Sequence, residues 1–418
     1  MKVSEQLRQM ERYGLLQEGT RTSSTPDDGE KPSWWQGSDL EFCEDTGVAY
    51  RQAEYPYEYS QGSINLSELQ NFAPDDLCAL TRVNELPSQW EDLIFVDTET
   101  TGLSGGTGTH VFLVGCAYFE GHDLILRQFF LPDPGGEPDF ISAVVKFLGQ
   151  RSHVVTFNGK RFDIPLLSQR CTMNKISGSL EFSGHHDLLY PARYLYRDRL
   201  SSCSLSSLEE KVLQVERQDD IPGGEIPERY FLFLRRQKFS LISDILKHNA
   251  DDLLSSAALM IHLMKTASCS VEKSDAQMSL ALGRLSLKAD RKKRAIKFLQ
   301  HAVDCAGGSD FFAAAEELSL IYKREKNWSK AVHLWQQMIA RIEGNHHSLG
   351  APIFPYVELA KYCEHHAKCP DNALQHTNEA IQHVKRRQQI LEPHNDPKLS
   401  RDLEDLQHRR QRLLRKSS

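Results

Sequence analysis

The chain has 418 residues, a length that suits two or three domains and suffices to bury a full hydrophobic core. Its formal net charge of −7 argues against bulk electrostatic binding of nucleic acid, although it leaves room for a local basic groove. The nine cysteines show no paired C-x-x-C spacing, so neither a zinc site nor a disulfide framework is indicated. No apolar stretch resembles a signal peptide or a membrane span, which predicts a cytoplasmic protein without a membrane partner.

The N-terminal part of the chain is acidic. Residues 1–90 carry 7 Lys and Arg against 16 Asp and Glu. Polar and turn-forming residues dominate 20–45, and we expect residues 1–47 to be a largely disordered acidic segment. Residues 48–69 predict short strands or a covering segment that leads into a folded domain over 48–268.

The first motif that carries chemistry is Asp-Thr-Glu at 97–99. Residues 93–96 form an apolar run that predicts a buried strand. Side chains two positions apart on a strand share one face, so Asp97 and Glu99 should emerge together at its C-terminal end. Open α/β sheets place their sites at such strand ends, and carboxylates are the ligands that Mg²⁺ and Mn²⁺ prefer.

A second motif follows another apolar stretch, at 154–157. Asn158 and Gly159 predict a turn, and the apolar spacing after it predicts a helix with Asp163 near its start. Lys160 and Arg161 flank this carboxylate; they would meet substrate phosphates, or they form an exposed solvated pair.

A third motif lies in residues 241–264, whose apolar residues recur at helical spacing. His248 and Asp252 are four positions apart and share one helix face. His248 is therefore a candidate to take a proton from an attacking water while Asp252 holds a metal ion. Asp251 is an alternative metal ligand at this position.

The glycine-rich segment 102–109 invites a nucleotide-binding interpretation. It lacks the Lys-Ser/Thr of a P-loop, and its glycines do not match the dinucleotide fingerprint. We interpret it as a loop beside the scissile nucleotide, where small residues let the backbone approach the sugar–phosphate chain. Thr100, Gly102, Leu103 and Asn158 are accordingly candidates for substrate contacts.

The three motifs together resemble those of the DEDD superfamily of 3′→5′ exonucleases, which have the RNase H-like fold. Asp97 and Glu99 match its first motif, Asp163 its second and Asp252 its third. Four wider segments resemble the YprB-like group, which joins a DEDD-type domain to helical repeats: 97–106, 156–160, 186–193 and 219–223.

This resemblance implies an α/β RNase H-like domain with a mixed sheet, followed by an all-α domain of tetratricopeptide-like (TPR-like) helical repeats. It also implies that Asp97, Glu99, Asp163 and Asp252 hold two Mg²⁺ or Mn²⁺ ions, which stabilise charge on both reacting oxygens of a phosphodiester. The chain departs from the family at one point. The three-residue gap of the third motif belongs to the branch that usually carries Tyr, whereas this chain has His248.

After residue 268 the apolar pattern is helical only. Ala295 and Leu299 recur as Ala331 and Trp335, an offset of 36 residues. This offset favours TPR-like repeats over 275–385, although a plain helical bundle has similar spacing. Such repeats would offer a surface to a protein partner or brace the first domain.

The C-terminal segment is basic. Residues 386–418 should form a basic helix or tail, and residues 384–418 carry 10 Lys and Arg against 5 Asp and Glu. A solvated terminal helix is the default interpretation, and a weak nucleic-acid contact is the functional one.

These observations predict a metal-dependent hydrolase, a 3′→5′ exonuclease that degrades single-stranded DNA or RNA from its 3′ end. Two alternatives remain open. The chain could be a non-catalytic nucleic-acid-binding scaffold, or an RNase H-like endonuclease. Neither the sugar preference nor the oligomeric state follows from the sequence.

Overall fold

The computed structural model describes residues 38–43, 46–102, 108–176, 180–344, 352–391 and 397–417. It divides the chain into two compact units, Met1–Ser268 and Cys269–Ser418. In the acidic segment 1–47, only residues 38–43 and 46–47 are described. The predicted disorder of residues 1–37, 44 and 45 lies outside the described residues. Leu103 is likewise outside the described residues.

Strands of the first unit form one large sheet and a small hairpin. Among the described residues the large sheet has seven strands in the order β1-β2-β7-β6-β5-β8-β9, and β3 pairs with β4. The strands are β1 (Glu41–Phe42), β2 (Ala49–Tyr55), β3 (Ser60–Gln61), β4 (Ile64–Asn65), β5 (Leu93–Thr100), β6 (Val111–Glu120), β7 (Asp123–Phe130), β8 (His153–Thr156) and β9 (Gly184–Asp187).

The sheet is mixed. Strand β5 pairs antiparallel with β6 and parallel with β8, and β8 pairs parallel with β9. At the other side of the sheet, β1 pairs with β2, β2 with β7, and β7 with β6, and all three pairs are antiparallel. Strand β6 is buried along all but its last residue, which marks it as a central strand covered on both faces. The predicted α/β domain with a mixed sheet is confirmed.

Helices cover this sheet. Those of the first unit are α1 (Pro74–Thr81), α2 (Glu137–Leu148), α3 (Asp163–Met173), α4 (Leu189–Tyr196), α5 (Leu205–Leu208), α6 (Ile226–Arg236) and α7 (Ser243–Ser268). Helices α3 and α7 both pack against β5 and β6. The amphipathic pattern explains α7, because its apolar side chains, including Ile245, Leu253 and Met260, are buried. Two helices that carry predicted site residues therefore meet the strand that carries the first motif.

The second unit contains helices only in its described part. They are α8 (Ala276–Lys288), α9 (Lys292–Cys305), α10 (Gly308–Arg324), α11 (Trp328–Gly344), α12 (Phe354–Tyr362), α13 (Pro370–Leu391) and α14 (Pro397–Ser417). Each helix packs against the next along the chain. Ala295 and Leu299 of α9, and Ala331 and Trp335 of α11, are all fully buried. Gly283 allows close packing here, because an added Cβ would lie 2.8 Å from the Leu299 side chain. The helix-rich C-terminal region is thus as predicted.

None of the helices that the structure describes is long and apolar enough to cross a lipid bilayer.

Candidate active site

Strand β5 presents the first two carboxylates. Residues 93–96 are buried, whereas Asp97 and Glu99 lie where the strand becomes partly accessible. The pairing with β6 shifts register between Glu99 and Thr100, so the regular ladder ends at the motif. Such an irregularity re-aims the chain at a strand end. The sequence places the two carboxylates here because the apolar run stops at Val96.

Helix α3 supplies the third carboxylate at its first residue, Asp163. The side chain is buried, and the Thr98 hydroxyl donates a hydrogen bond of 2.6 Å to Asp163 Oδ1. Asp163 therefore lies at the start of its helix and contacts the first motif through Thr98.

Helix α7 supplies Asp252 and His248 on one face, as their spacing predicted. His248 Nε2 lies 4.0 Å from Glu99 Oε1 and 3.9 Å from Asp252 Oδ2. The His248 side chain is 15% exposed, and Glu99 and Asp252 are exposed to a similar extent. The ring thus faces the carboxylates with its Nε2 edge.

The alternative ligand lies elsewhere. Asp251 Oδ2 accepts a hydrogen bond of 3.2 Å from Lys247 Nζ. Asp252, by contrast, is the neighbouring charge that most raises the pKa of both Asp97 and Glu99. The helix therefore directs Asp252, and not Asp251, toward the first motif.

The four carboxylates repel one another in a buried space. Burial, followed by the charges of Asp252 and Asp163, raises the pKa of Asp97 and of Glu99 well above the ordinary range. Burial also raises the pKa of Asp163 to about 6, although hydrogen bonds from Thr98 oppose this shift. The charged forms of Asp97, Glu99 and Asp163 are thus disfavoured here, and a nearby cation would favour them.

The donor set fits a hard divalent cation in its chemistry, because every candidate ligand is a carboxylate oxygen. As the side chains stand in the described residues, no three His, Cys, Asp or Glu groups converge closely enough to hold one ion. Asp252 instead forms an ion pair with Arg217. The residues are thus suited to a metal by type, number and charge, while their convergence on an ion would need side-chain rearrangement.

Arg217 is a site residue that the sequence motifs did not include. Its side chain is 9% exposed and pairs with Asp252, with Glu209 at 2.5 Å and with Asp220 at 3.2 Å. Although burial alone opposes this, the nearby carboxylates raise the pKa of the guanidinium and keep it charged. Arg217 therefore holds Asp252 and the 217–220 segment together.

Asp220 orients His248. Its Oδ1 lies 2.7 Å from His248 Nδ1. A carboxylate accepts only, and this contact is shorter than the 3.3 Å from Arg217 Nη1 to the same atom, so we assign the proton of the hydrogen bond to Nδ1. In the tautomer with its proton on Nδ1, Nε2 is an acceptor. Although burial opposes it, the bond from His248 lowers the pKa of Asp220. Asp220 lies in segment 219–223, one of the four segments that resemble the YprB-like group. That resemblance did not predict its hydrogen bond with His248.

Asn249, next to the predicted base, holds the first carboxylate. Its Nδ2 donates to Asp97 Oδ2 at 2.8 Å, and its Oδ1 accepts from Gln128 Nε2 at 2.6 Å. Gly115 of β6 pairs with Asp97 and makes room, since an added Cβ would lie 2.1 Å from Asn249 Oδ1. No local signal in the sequence pointed to Asn249, Gln128 or Gly115.

The loop of the second motif is held by Asp187 at the end of β9. This carboxylate accepts hydrogen bonds from the backbone N–H of Asn158 at 2.8 Å, Lys160 at 3.2 Å and Leu189 at 3.1 Å. Asn158 adopts a positive φ of 67°, which a turn residue of this type tolerates. Asp187 thereby shapes the backbone between β8 and Asp163.

The predicted substrate residues border this region. Lys160 and Arg161 are exposed, and Phe162 beside Asp163 is 50% exposed. The Thr100 hydroxyl donates to Gly102 O at 2.8 Å, so it stabilises the start of the glycine-rich loop. Phe162 is an exposed aromatic ring next to the carboxylates, which the motif alone did not single out.

Comparisons with known proteins identify the family of this chain. The sequence profile described as RNase_H superfamily matches residues 94–264, a range that contains all four carboxylates and His248. The chain is 32% identical over 350 residues to the protein named Uncharacterized protein YprB from Bacillus subtilis (strain 168), and this match covers 81% of each chain. The described chain thus belongs to the family of YprB, and its first unit carries an RNase H-superfamily domain.

Proposed function

We propose that the protein is a metal-dependent 3′→5′ exonuclease that hydrolyses single-stranded nucleic acid and releases nucleoside monophosphates. The observation that carries this proposal is that β5, α3 and α7 bring four carboxylates to one strand end, where two of them, Glu99 and Asp252, lie within 4.0 Å of His248 Nε2. The four carboxylates come from three separate parts of the chain, and burial makes their mutual charge costly unless a ligand compensates it.

In this proposal Asp97, Glu99, Asp163 and Asp252 hold two Mg²⁺ or Mn²⁺ ions. When bound, the ions supply positive charge for the attacking and leaving oxygens of the phosphodiester. The raised pKa values of Asp97 and Glu99 support this assignment, because they arise from burial and from neighbouring carboxylates, and a bound cation compensates buried negative charge.

His248 accepts the proton of the attacking water at Nε2. The hydrogen bond from Nδ1 to Asp220 selects the tautomer that can do so and stabilises the imidazolium that forms. The third-motif position, where the related branch usually carries Tyr, is thus filled by a side chain with a partner suited to proton transfer.

Two polar contacts orient the carboxylates. Asn249 fixes Asp97 through Nδ2, and Thr98 fixes Asp163 through its hydroxyl. Outer contacts of this kind hold ligand oxygens in place and raise the precision of a site.

The exposed side chains beside the carboxylates face the substrate in this proposal. Lys160 and Arg161 contact phosphates, and Phe162 stacks on a base near the 3′ end. Thr100, Gly102, Leu103 and Asn158 border the scissile nucleotide, as the sequence suggested.

The proposal extends to the second unit. We infer TPR-like repeats over 275–385 and a basic helix over 386–418, and the 36-residue offset between buried positions of α9 and α11 supports this assignment. Paired helices of this kind present a surface on which a protein partner can dock.

The experiment is cleavage of 5′-labelled single-stranded DNA and RNA with Mg²⁺ or Mn²⁺ by the full chain. We expect a ladder that shortens from the 3′ end and disappears with chelator. Asp252→Asn should abolish it, since it removes a charged candidate ligand while keeping the shape of the side chain.

Asp251→Asn is the matched control, because it changes the same chemistry one residue away on the same helix and lies beside Lys247. Activity in Asp252→Asn equal to wild type contradicts the site. Internal cuts without a 3′ ladder would indicate an endonuclease, and no metal binding or cleavage would indicate a scaffold.

A further inference from the structure

A small aromatic cavity lies within the second unit. It has a volume of about 240 Å³ and is lined by side chains of α10, α11, α12, the turn after α12, and α14. We call it the aromatic cavity, and its rings and cations are Trp328, Trp335, Tyr362, His366, Lys323, Lys361 and Arg409. The Trp328 and His366 rings lie 3.9 Å apart, and Trp328 and Tyr362 lie 5.7 Å apart.

The indole of Trp335 lies beneath the cavity lining. Trp335 is fully buried, and its Nε1 makes no hydrogen bond to any part of the chain that the structure describes. Because this N–H has no accessible surface, we assign it no contact with a ligand and Trp335 contributes only the apolar body of its ring.

Two buried glutamates gather positive charge around the cavity. Glu358 accepts from Lys361 at 2.7 Å and from Lys323. Glu364, which is 2% exposed, accepts from three cations of α14: Arg409 at 3.0 Å, Arg412 at 2.7 Å and Lys416 at 2.8 Å. Within the described residues these two carboxylates thus hold five Lys and Arg side chains, and the cations remain in excess.

A groove continues from the cavity between α12 and α14. It has a volume of about 720 Å³ and shares Lys361 and Arg409 with the aromatic cavity. Arg412 and Arg415 also line it, alongside Asp402 and Asp405. We call it the basic groove. Together the two features form a track with cations along it and rings at one end.

The chemistry of this track defines its ligand. Five of the cations already pair with Glu358 and Glu364, but they outnumber these two carboxylates, so the track favours a ligand that carries negative charge, and the rings favour a flat partner. The aromatic cavity is smaller than the roughly 300–1,000 Å³ that whole small-molecule ligands occupy, so it suits one base of a longer chain. Stacked rings with a cationic track are how proteins bind single strands without sequence preference.

We propose that the aromatic cavity and the basic groove bind single-stranded nucleic acid, with one base against Trp328 and adjacent phosphates at Arg409 and Arg415. The choice of a nucleic acid over an acidic peptide rests on the proposed function of the first unit. The basic C-terminal segment then has a role, since α14 supplies Arg409 and Arg415.

The test measures binding separately from cleavage. Full-length Asp252→Asn protein is titrated into fluorescein-labelled single-stranded (dT)₁₀ and (rU)₁₀ in EDTA, and the anisotropy is recorded at several salt concentrations. Adding Trp328→Ala should weaken binding about tenfold, because stacking on one ring is lost. Adding Arg415→Gln should weaken binding and lower the slope of log Kd against log salt by about one phosphate contact.

Arg410→Gln is the matched control, because Arg410 is exposed on the same helix and does not line the groove. We expect it to bind as the parent does. Thermal melts show whether Trp328→Ala folds. Arg415 is exposed, so we expect Arg415→Gln to fold and to test the proposal even if Trp328→Ala does not fold.

Three results overturn the proposal. The first is that the parent, Trp328→Ala and Arg415→Gln bind the oligonucleotides with equal affinity, and the second is that Arg410→Gln loses as much affinity as Arg415→Gln. The third is that the protein binds a decaglutamate peptide but not the oligonucleotides. Wild-type cleavage without variant-sensitive binding contradicts only this site. Variant-sensitive binding without cleavage contradicts only the nuclease proposal.

Discussion

Removing the charge of Asp220 should slow the reaction, while Arg217 keeps its ion pairs with Asp252 and Glu209. Asp220→Asn keeps the side-chain shape but replaces the carboxylate that lies 2.7 Å from His248 Nδ1. The amide can present either its oxygen or its NH₂ group to the ring, so it no longer enforces the tautomer with Nε2 free. We therefore expect a loss in kcat and little change in KM.

The magnitude follows from this bond. The side chain of His248 is 15% exposed and that of Asp220 is 28% exposed, so solvent screens this bond only in part. A charge-assisted hydrogen bond of this kind contributes ~1.5–3 kcal/mol. At 1.36 kcal/mol for each factor of ten, kcat should fall about 10- to 100-fold. The loss in His248→Ala sets the upper limit, since general-base catalysis contributes about 10²–10⁴-fold.

The assay combines kinetics with a direct readout of the ring. Steady-state rates on 5′-labelled single strands give kcat and KM for wild type, Asp220→Asn and His248→Ala. Spectra of ¹⁵N-histidine-labelled protein, with His248 assigned from the His248→Ala difference, should show an Nδ1-protonated ring in wild type and a mixture in Asp220→Asn. Asp219→Asn is the matched control, because Asp219 is exposed and its positive φ of 54° suits Asn.

Two results would refute this reasoning. One is a wild-type kcat in Asp220→Asn while His248→Ala is inactive, which would show that His248 acts without its carboxylate partner. The other is an equal loss in Asp219→Asn, which would trace the effect to the loop and not to the hydrogen bond.

The remaining predictions concern metal binding, pH and packing. Millimolar Mn²⁺ should raise the Tm of wild type at pH 7 by several degrees and that of Asp97→Asn by clearly less, because the ion binds the folded site; equal shifts would contradict the ligand assignment. In EDTA, stability should decline as pH rises from about 4 through 6, since burial holds the pKa of Asp163 at about 6 and the folded state binds more protons than the unfolded chain; a flat profile across this range counts against the cluster. Burial raises the pKa of Glu137, but hydrogen bonds from His110 and Arg170 outweigh it and lower this pKa to about 2. The ionised Glu137 therefore stabilises the folded state fully above about pH 5, and this contribution is lost as pH falls toward 2. Glu137→Gln should lower the free energy of unfolding by ~3–5 kcal/mol in urea titrations, because Arg170 is left charged, buried and without this partner. Leu299→Ala should destabilise the second unit by ~2–5 kcal/mol through the cavity that it leaves, and a melt unchanged by it would contradict the packing.

The sequence by itself determined the elements and the carboxylates. The apolar run 93–96 ends at Val96, and the change to acidic residues predicts that the strand leaves the core there, whether or not its neighbours are known. The helical spacing of 241–264 predicts α7 and puts His248 and Asp252 on one face. Local periodicity suffices for these predictions, because strand and helix geometry repeat every two and every 3.6 residues.

Only the tertiary structure decided which side chains hold the carboxylates and His248 in place. Asn249 and Asp97 are 152 residues apart, and Asp220 and His248 are 28 apart without a shared element. Arg217 meets Asp252 only because the segment after α5 returns beside α7. A hydrogen bond or ion pair forms within about 3–4 Å, so it depends on strand order and on how each helix is rotated against the sheet. The periodicity of one segment fixes its own inward face but carries no information about the segment that this face meets.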